Sequence, residues 1–106
     1  MPSDDDQITV TRDDAESRYE VRVGDVLAGF TEFERDDEGR LLFPHTEVDP
    51  AFGGRGLAKR VVADAMADAA AQGATVVPLC PVVRKWLREN EVPGLEIDWP
   101  SRPADA

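Results

Sequence analysis

Hydrophobic and polar residues alternate along the first half of the chain with the period of two that is typical of half-buried β-strands. The alternation predicts four strands, over residues 7–11, 18–23, 26–34 and 40–48. Gly24 with Asp25, and the acidic run that ends at Gly39, separate the later strands as turns. The first half is therefore expected to form an antiparallel meander. Pro44 in the fourth strand indicates a bulge or an unpaired edge, because proline has no N–H to donate.

The spacing of apolar residues becomes helical in the second half of the chain. Residues 57–69 carry apolar side chains at three- and four-residue intervals, which predicts a helix over about residues 56–72 that Gly73 ends. A short apolar run at residues 75–79 predicts a buried strand. Pro81 suits the first position of a second helix, which reaches about residue 90. The predicted order is β-β-β-β-α-β-α, an α/β (α+β) fold, and residues 91–100 add a loop or a short strand.

The chain has 106 residues, the size of one domain with a single modest core, and its ends at residues 1–6 and 101–106 are expected to be flexible. The formal net charge of −10 disfavours nucleic acid and anionic membranes as partners, because both require a basic surface. The lone cysteine, Cys80, excludes an intrachain disulfide, and the acidic N-terminus lacks the pattern of a secretory signal. No apolar stretch approaches the about 20 residues of a membrane span. A cytoplasmic monomer or homodimer is therefore expected.

A glycine-rich turn connects the fourth strand to the first helix, with Gly53, Gly54 and Gly56 inside four residues. Glycine permits positive φ and leaves the backbone N–H groups accessible, and the start of a helix adds unpaired N–H groups and a positive dipole. An anionic ligand fits such a turn, although turns of this kind also form for geometric reasons alone. Two phosphate-binding signatures are absent: a P-loop requires Lys-Ser/Thr after Gly56, and a dinucleotide fingerprint requires glycine at Lys59.

Half of the basic residues fall at the starts or on the faces of the two predicted helices. These six of twelve are Arg55, Lys59, Arg60, Arg84, Lys85 and Arg88. Two explanations are open in so acidic a chain. The residues pair with carboxylates, which contributes little stability at exposed positions, or they bind the phosphates of a polyanionic cofactor whose pyrophosphate lies in the glycine turn.

Two other side chains are candidates for chemistry. Cys80 precedes Pro81 and so lies at a helix N-cap, where the dipole and Arg84 favour the thiolate and make it a better nucleophile. The other interpretation of Cys80 is a small buried hydrophobe, which the residues alone favour. His45, on the strand that leads into the turn, is either a proton acceptor near neutral pH or a hydrogen-bonded strand residue. The carboxylates of Glu47 and Asp49 are likewise either bases or solvated.

Three blocks of the chain resemble the small single-domain Gcn5-related N-acetyltransferases, in order and at the family's spacing. They read Phe-Pro-His-Thr-Glu-Val at residues 43–48, Gly-Gly-Arg-Gly-Leu-Ala at residues 53–58, and Val-Pro-Leu-Cys-Pro at residues 77–81. The resemblance implies a mixed, mainly antiparallel sheet that splays between the fourth and fifth strands. It also implies that acetyl-CoA lies in the gap as a cosubstrate, with its pyrophosphate on the glycine turn.

The resemblance implies site residues as well. The family's turn reads Arg/Gln-x-x-Gly-x-Gly/Ala, so Gly56 and Ala58 match its small positions, and Gly53 departs from the expected Arg or Gln. Cys80 matches the cysteine proposed as the family's reactive centre and His45 matches its His-Thr block, so these are the expected catalytic residues. No metal ligand is expected. The residues expected to bind the cofactor are Val48, Gly53, Gly54, Arg55, Gly56, Leu57, Ala58, Lys59 and Arg84.

The implied function is acetyl-CoA-dependent transfer of an acetyl group to an amine, which is a protein lysine or peptide, or a small amine. The amine attacks the thioester directly, or Cys80 accepts the acetyl group first. The alternative is a non-catalytic module that binds CoA or acyl-CoA, which the short chain and Gly53 favour. A structural domain whose glycine turn is only geometric would bind no CoA.

Overall fold

The computed structural model describes residues 7–100 and contains six strands and two helices over that range. The segments 1–6 and 101–106, predicted to be flexible, lie outside the described residues. The strands are β1 (Ile8–Asp13), β2 (Arg18–Val23), β3 (Val26–Arg35), β4 (Leu41–Val48), β5 (Thr75–Pro78) and β6 (Glu96–Ile97). The helices are α1 (Leu57–Ala71) and α2 (Pro81–Glu89), and a 3-10 turn spans Pro50–Phe52. Neither of these helices has the length and apolar character needed to cross a membrane.

The strands form one sheet in the order β1-β2-β3-β4-β5-β6. The first four strands pair antiparallel, whereas β4 with β5 and β5 with β6 pair parallel. The mixed, mainly antiparallel sheet is therefore confirmed, and the segment 91–100 contributes a short strand. Buried residues of α1 and α2 belong to one core cluster with those of the strands, and the two helices contact each other, so both lie on the same face of the sheet. We call this the inner face and the opposite one the outer face.

A bulge in β4 interrupts its pairing with β3. Phe43 and Pro44 together lie opposite the single residue Phe33. Proline fits here because a bulged residue makes no ladder hydrogen bond, as the sequence indicated. The extra residue also reverses the alternation of side chains, so that Phe43 and Thr46 face inwards and His45 faces outwards.

The sheet opens between β4 and β5 just beyond the bulge. Within the described residues, β5 pairs with β4 only at Leu41, Leu42 and Phe43. The Phe43 carbonyl then accepts hydrogen bonds from the N–H groups of Leu79 at 3.2 Å and Cys80 at 2.8 Å. Residues 44–48 continue without a partner in β5. This opening is the predicted splay between the fourth and fifth strands.

The core lies between the inner face and the two helices. Tyr19, Phe33 and Phe43 form an aromatic cluster with ring centroids 5.4 to 6.3 Å apart. Burying each such side chain contributes roughly 1.5–3 kcal/mol. Helix α1 packs on this cluster through one apolar face, which consists of Leu57, Val61, Val62, Ala65, Met66 and Ala69. The helical spacing read from the sequence therefore predicts the buried face correctly.

Candidate functional site

The turn after β4 begins with a 3-10 turn that Asp49 caps. The Asp49 carboxylate accepts a hydrogen bond from the N–H of Ala51 at 2.9 Å, and the Asp49 N–H donates to the Ala28 carbonyl at 2.7 Å. The Gly53 N–H donates to the Pro50 carbonyl at 3.0 Å. Asp49 thus has a structural role, and the Gly53 N–H is already engaged within the turn.

Beyond Gly53 the backbone N–H groups have no acceptor within the described part of the chain. This holds for the six residues 54–59, and internal hydrogen bonding resumes with the Arg60 N–H, which donates to the Gly56 carbonyl at 3.1 Å. Gly54 at φ 80° and Gly56 at φ 73° supply the left-handed conformations that turn the chain into α1. We call these six groups the amide row. Together with the positive end of the α1 dipole, they are an arrangement of donors that suits an anion.

Some side chains of the amide row are buried in the core, and others are exposed on the surface. Leu57 is buried in the core, whereas Arg55 and Lys59 are exposed. The Arg55 guanidinium lies 5.5 Å from the centroid of the Phe52 ring. Arg60 is engaged elsewhere, because its guanidinium pairs with the Asp64 carboxylate at 3.2 Å. Arg55 and Lys59 are therefore the cations available to an anion at this turn.

The last residues of β4 present backbone groups to the splay. The Asp49 N–H donates to Ala28 of β3. Because successive residues of a strand direct their N–H and C=O groups to opposite edges, Thr46 and Val48 direct theirs away from β3. These groups face the open gap. Val48 thus lies at the splay with polar backbone groups available for an extended ligand, while its side chain packs against the core.

Cys80 lies at the N-cap of α2, with Pro81 at the first helical position. Cys80 is 4% exposed, and its Sγ lies 3.5 Å from Oγ1 of Thr46 across the splay. The Thr46 hydroxyl in turn contacts the Thr31 hydroxyl at 2.8 Å. Cys80 is therefore buried at the N-cap position without a side-chain capping hydrogen bond, and it adjoins β4 where the sheet opens.

His45 lies on the outer face, away from Cys80. Its side chain is half exposed, and Nε2 lies 3.1 Å from Oε1 of Glu47. The ring also lies near Phe30, with centroids 6.1 Å apart. The two residues predicted to be catalytic are thus not brought together, because the bulge places Thr46 beside Cys80 instead. The sequence reasoning did not single out Thr46, although it is the threonine of the His-Thr block and lies two residues beyond Pro44.

The basic residues of α2 are not all paired. The Arg84 N–H donates to the Cys80 carbonyl at 2.9 Å, which places Arg84 one helical turn from the thiol. Lys85 lies 4.0 Å from the Glu89 carboxylate, a weak exposed pair. Within residues 7–100, the guanidinium groups of Arg84 and Arg88 have no carboxylate within the 4.0 Å that defines an ion pair. A role of Arg84 in cofactor binding remains a prediction.

Comparison with known proteins identifies the family. The family model for GCN5-related N-acetyl-transferase matches residues 18–93. A solved structure, a ribosomal-protein-alanine N-acetyltransferase from Brucella melitensis biovar Abortus 2308, is similar with 22% identity and a TM-score of 0.41. The match covers 83% of this chain and 55% of that one, so the chain spans about half the length of that protein. The search of curated proteins gave no match. The family model alone covers most of the chain, which belongs to the GCN5-related N-acetyltransferase family.

Proposed function

We propose that this chain binds acetyl-CoA and transfers the acetyl group to an amine. Family membership supports acetyl transfer as the chemistry. The observation that carries the proposal is the amide row, in which the six N–H groups of residues 54–59 have no acceptor within the described residues. A diphosphate offers several charged oxygens to such a row, and a hydrogen bond to a charged acceptor is about twice as strong as a neutral one.

The splay fits the rest of the cosubstrate. The arm of CoA that carries the thioester contains two amide groups, and the free backbone groups of Thr46 and Val48 offer hydrogen bonds of the kind a neighbouring strand would make. Arg55 and Lys59 would supply charge to the phosphates, with Arg84 as a further candidate. Gly53 contributes little, since its N–H is bonded to Pro50. When bound, acetyl-CoA supplies an activated acyl group.

The side chains of this protein would position the acyl donor and take up the proton that the amine loses. Cys80 is the candidate nearest the splay, either as a group that positions the acyl donor or as a nucleophile that accepts the acetyl group before the amine does. His45 and Glu47 lie on the outer face, so they could take a proton only from an amine that approaches from that side. Protein lysines, peptides and small amines all remain candidate acceptors.

A second candidate is the non-catalytic module that binds CoA or acyl-CoA. The separation of His45 from Cys80 favours it, because no general base lies beside the thiol among the described residues. Both candidate functions use the amide row to bind the cofactor, and they differ only in whether the acetyl group is transferred.

The test is release of the free CoA thiol from acetyl-CoA in the presence of lysine peptides, polyamines and small primary amines. We expect turnover with one of these classes. Arg55→Ala should raise KM for acetyl-CoA about tenfold, the cost of losing one hydrogen bond to a charged group. Arg35→Ala, at the exposed end of β3, is the matched control and should leave KM unchanged. Saturable binding without turnover would support the binding module, and a folded protein that binds no acetyl-CoA would refute both functions.

A further inference from the structure

Three side chains form a continuous line of hydrogen bonds beside the splay. Sγ of Cys80 lies 3.5 Å from Oγ1 of Thr46, and that oxygen lies 2.8 Å from Oγ1 of Thr31. The Thr31 hydroxyl lies 3.4 Å from the carbonyl oxygen of His45. Cys80 is 4% exposed and Thr31 is fully buried, so water competes little for these groups. We call Thr31 and Thr46 the hydroxyl pair.

The His45 carbonyl at the end of this line decides which hydroxyl donates and which accepts. A carbonyl oxygen only accepts hydrogen bonds, so the Thr31 hydroxyl donates to His45 and accepts from Thr46. Because the Thr46 proton is used in this way, the Thr46 oxygen is left to accept from the thiol of Cys80. Every member of the line is then partnered while Cys80 is a thiol. A hydroxyl rotates about its C–O bond, so the order can reverse.

We propose that Thr46 is a positioning residue for Cys80 that accepts from the thiol and donates to the thiolate. When the S–H bond breaks, the proton passes to a base in solution and the electron pair stays on sulfur. The Thr46 hydroxyl then turns to donate to sulfur, and the Thr31 hydroxyl turns to donate to Thr46, so the 3.4 Å bond to the His45 carbonyl is the one given up. A hydrogen bond to charged sulfur is stronger than one from neutral sulfur, and the bond gained at sulfur replaces a long one at the His45 carbonyl.

The inference deepens the proposed function and rests on it only for the use of the thiolate in acetyl transfer. A purely structural role is the competing explanation, since facing threonines on paired strands stabilise a sheet by themselves. Such a role depends on shape and on one hydrogen bond between the two strands. It does not involve the ionisation of Cys80, which is therefore the property to measure.

The test follows the ultraviolet absorbance of the Cys80 thiolate over a series of pH values, with Cys80→Ser as the blank. Tyr19, the one tyrosine, does not interfere at moderately alkaline pH, because burial and its hydrogen bond to Asp68 raise its pKa to about 12. Thr46→Val keeps the side-chain shape and removes the hydroxyl. It should lower the thiolate fraction about tenfold at a pH where the wild type is partly ionised.

Two further variants separate this role from a structural one. Thr46→Ser restores a hydroxyl and should recover the wild-type titration, and Thr11→Val, on an exposed position of β1, should leave it unchanged. In acetyl transfer, Thr46→Val should lower kcat and leave KM for acetyl-CoA unaltered. If Thr46→Val fails to fold, as judged by circular dichroism, Thr46→Ala is compared with Thr46→Ser in its place.

A folded Thr46→Val or Thr46→Ala protein that titrates like the wild type would overturn the proposal. Failure of the proposed function would look different. In that case the wild type itself transfers no acetyl group, and the thiolate titrations still decide whether Thr46 supports the ionised cysteine.

Discussion

At the scale of single residues, β3 and β4 approach each other very closely at Gly29, which lies opposite Val48. A Cβ on Gly29 would lie 2.6 Å from the Glu47 carbonyl oxygen and 3.0 Å from Cα of Val48. Both are backbone atoms, so a strand and not a side chain would have to move. Gly29 therefore helps to hold Val48 where its peptide groups face the splay.

Gly29→Ala should lower the free energy of unfolding by about 2 kcal/mol, because the added methyl group forces the two strands apart. Urea unfolding followed by circular dichroism measures the change. Gly53→Ala is the matched control: its φ of −62° suits alanine and its Cβ would meet only the Pro50 carbonyl, at 3.3 Å. Equal losses of stability in the two variants would contradict the close approach at Gly29.

Single residues of the site could be predicted from the sequence only in part. The glycine turn and the N-cap position of Cys80 are local features, and local spacing is sufficient to find them. Strict alternation from Phe43 would place His45 on the inner face beside Cys80. The bulge at Pro44 puts Thr46 there instead. Which face of the sheet the residues after the bulge occupy depends on the register between β4 and β3. The sequence of β4 alone does not contain that register.

At the scale of elements, α1 is connected to β1 and β2 through Asp68. Its Oδ2 accepts hydrogen bonds from the Tyr19 hydroxyl at 2.7 Å, and from Arg12 and Gln72 at 2.8 Å each. Burial would raise the pKa of Asp68, but the hydrogen bonds from Tyr19 and Gln72 and the charge of Arg12 outweigh it and lower that pKa. Burial and the bond to Asp68 raise the pKa of Tyr19 to about 12.

The raised pKa of Tyr19 predicts a loss of stability in alkali. The folded protein holds the phenol proton more tightly than the unfolded chain, whose tyrosine ionises near pH 10. The associated stability, roughly 2–3 kcal/mol, is complete below pH 10 and is lost as the pH rises through about 12. Tyr19→Phe lacks this contribution. Its free energy of unfolding, measured with urea, should therefore fall less steeply than that of the wild type between pH 10 and about 12. Identical declines in the two proteins would contradict the assignment.

The elements themselves were largely predictable. Alternation and helical spacing are local, and they placed the first five strands and both helices within about two residues of their observed bounds. The strand β6 is different, because Glu96 and Ile97 pair with Thr75 and Val76 across α2. Two residues carry no periodic signal, and only the distant partner makes them a strand.

At the scale of the whole molecule, an acidic chain groups half of its basic residues at the starts or on the faces of its two helices. The formal net charge is −10, yet of the six basic residues grouped on the helices only Arg60 and Lys85 pair with carboxylates in the described range. Pairing therefore accounts for a minority of that group. Of the remainder, Arg55 and Lys59 lie at the glycine turn and Arg84 and Arg88 lie on α2, and phosphate binding through the first two should weaken as salt rises.

The most direct test of the account is calorimetric titration with acetyl-CoA, set beside S-acetyl-pantetheine, which carries the same thioester arm without phosphates. The amide row predicts one site of micromolar Kd for acetyl-CoA and binding at least about a hundredfold weaker for the analogue, since several charged hydrogen bonds are lost. Arg55→Ala should weaken the binding of acetyl-CoA and leave the binding of S-acetyl-pantetheine unchanged. A folded protein that binds neither ligand, or binds both equally, would contradict the placement of the phosphates at the glycine turn.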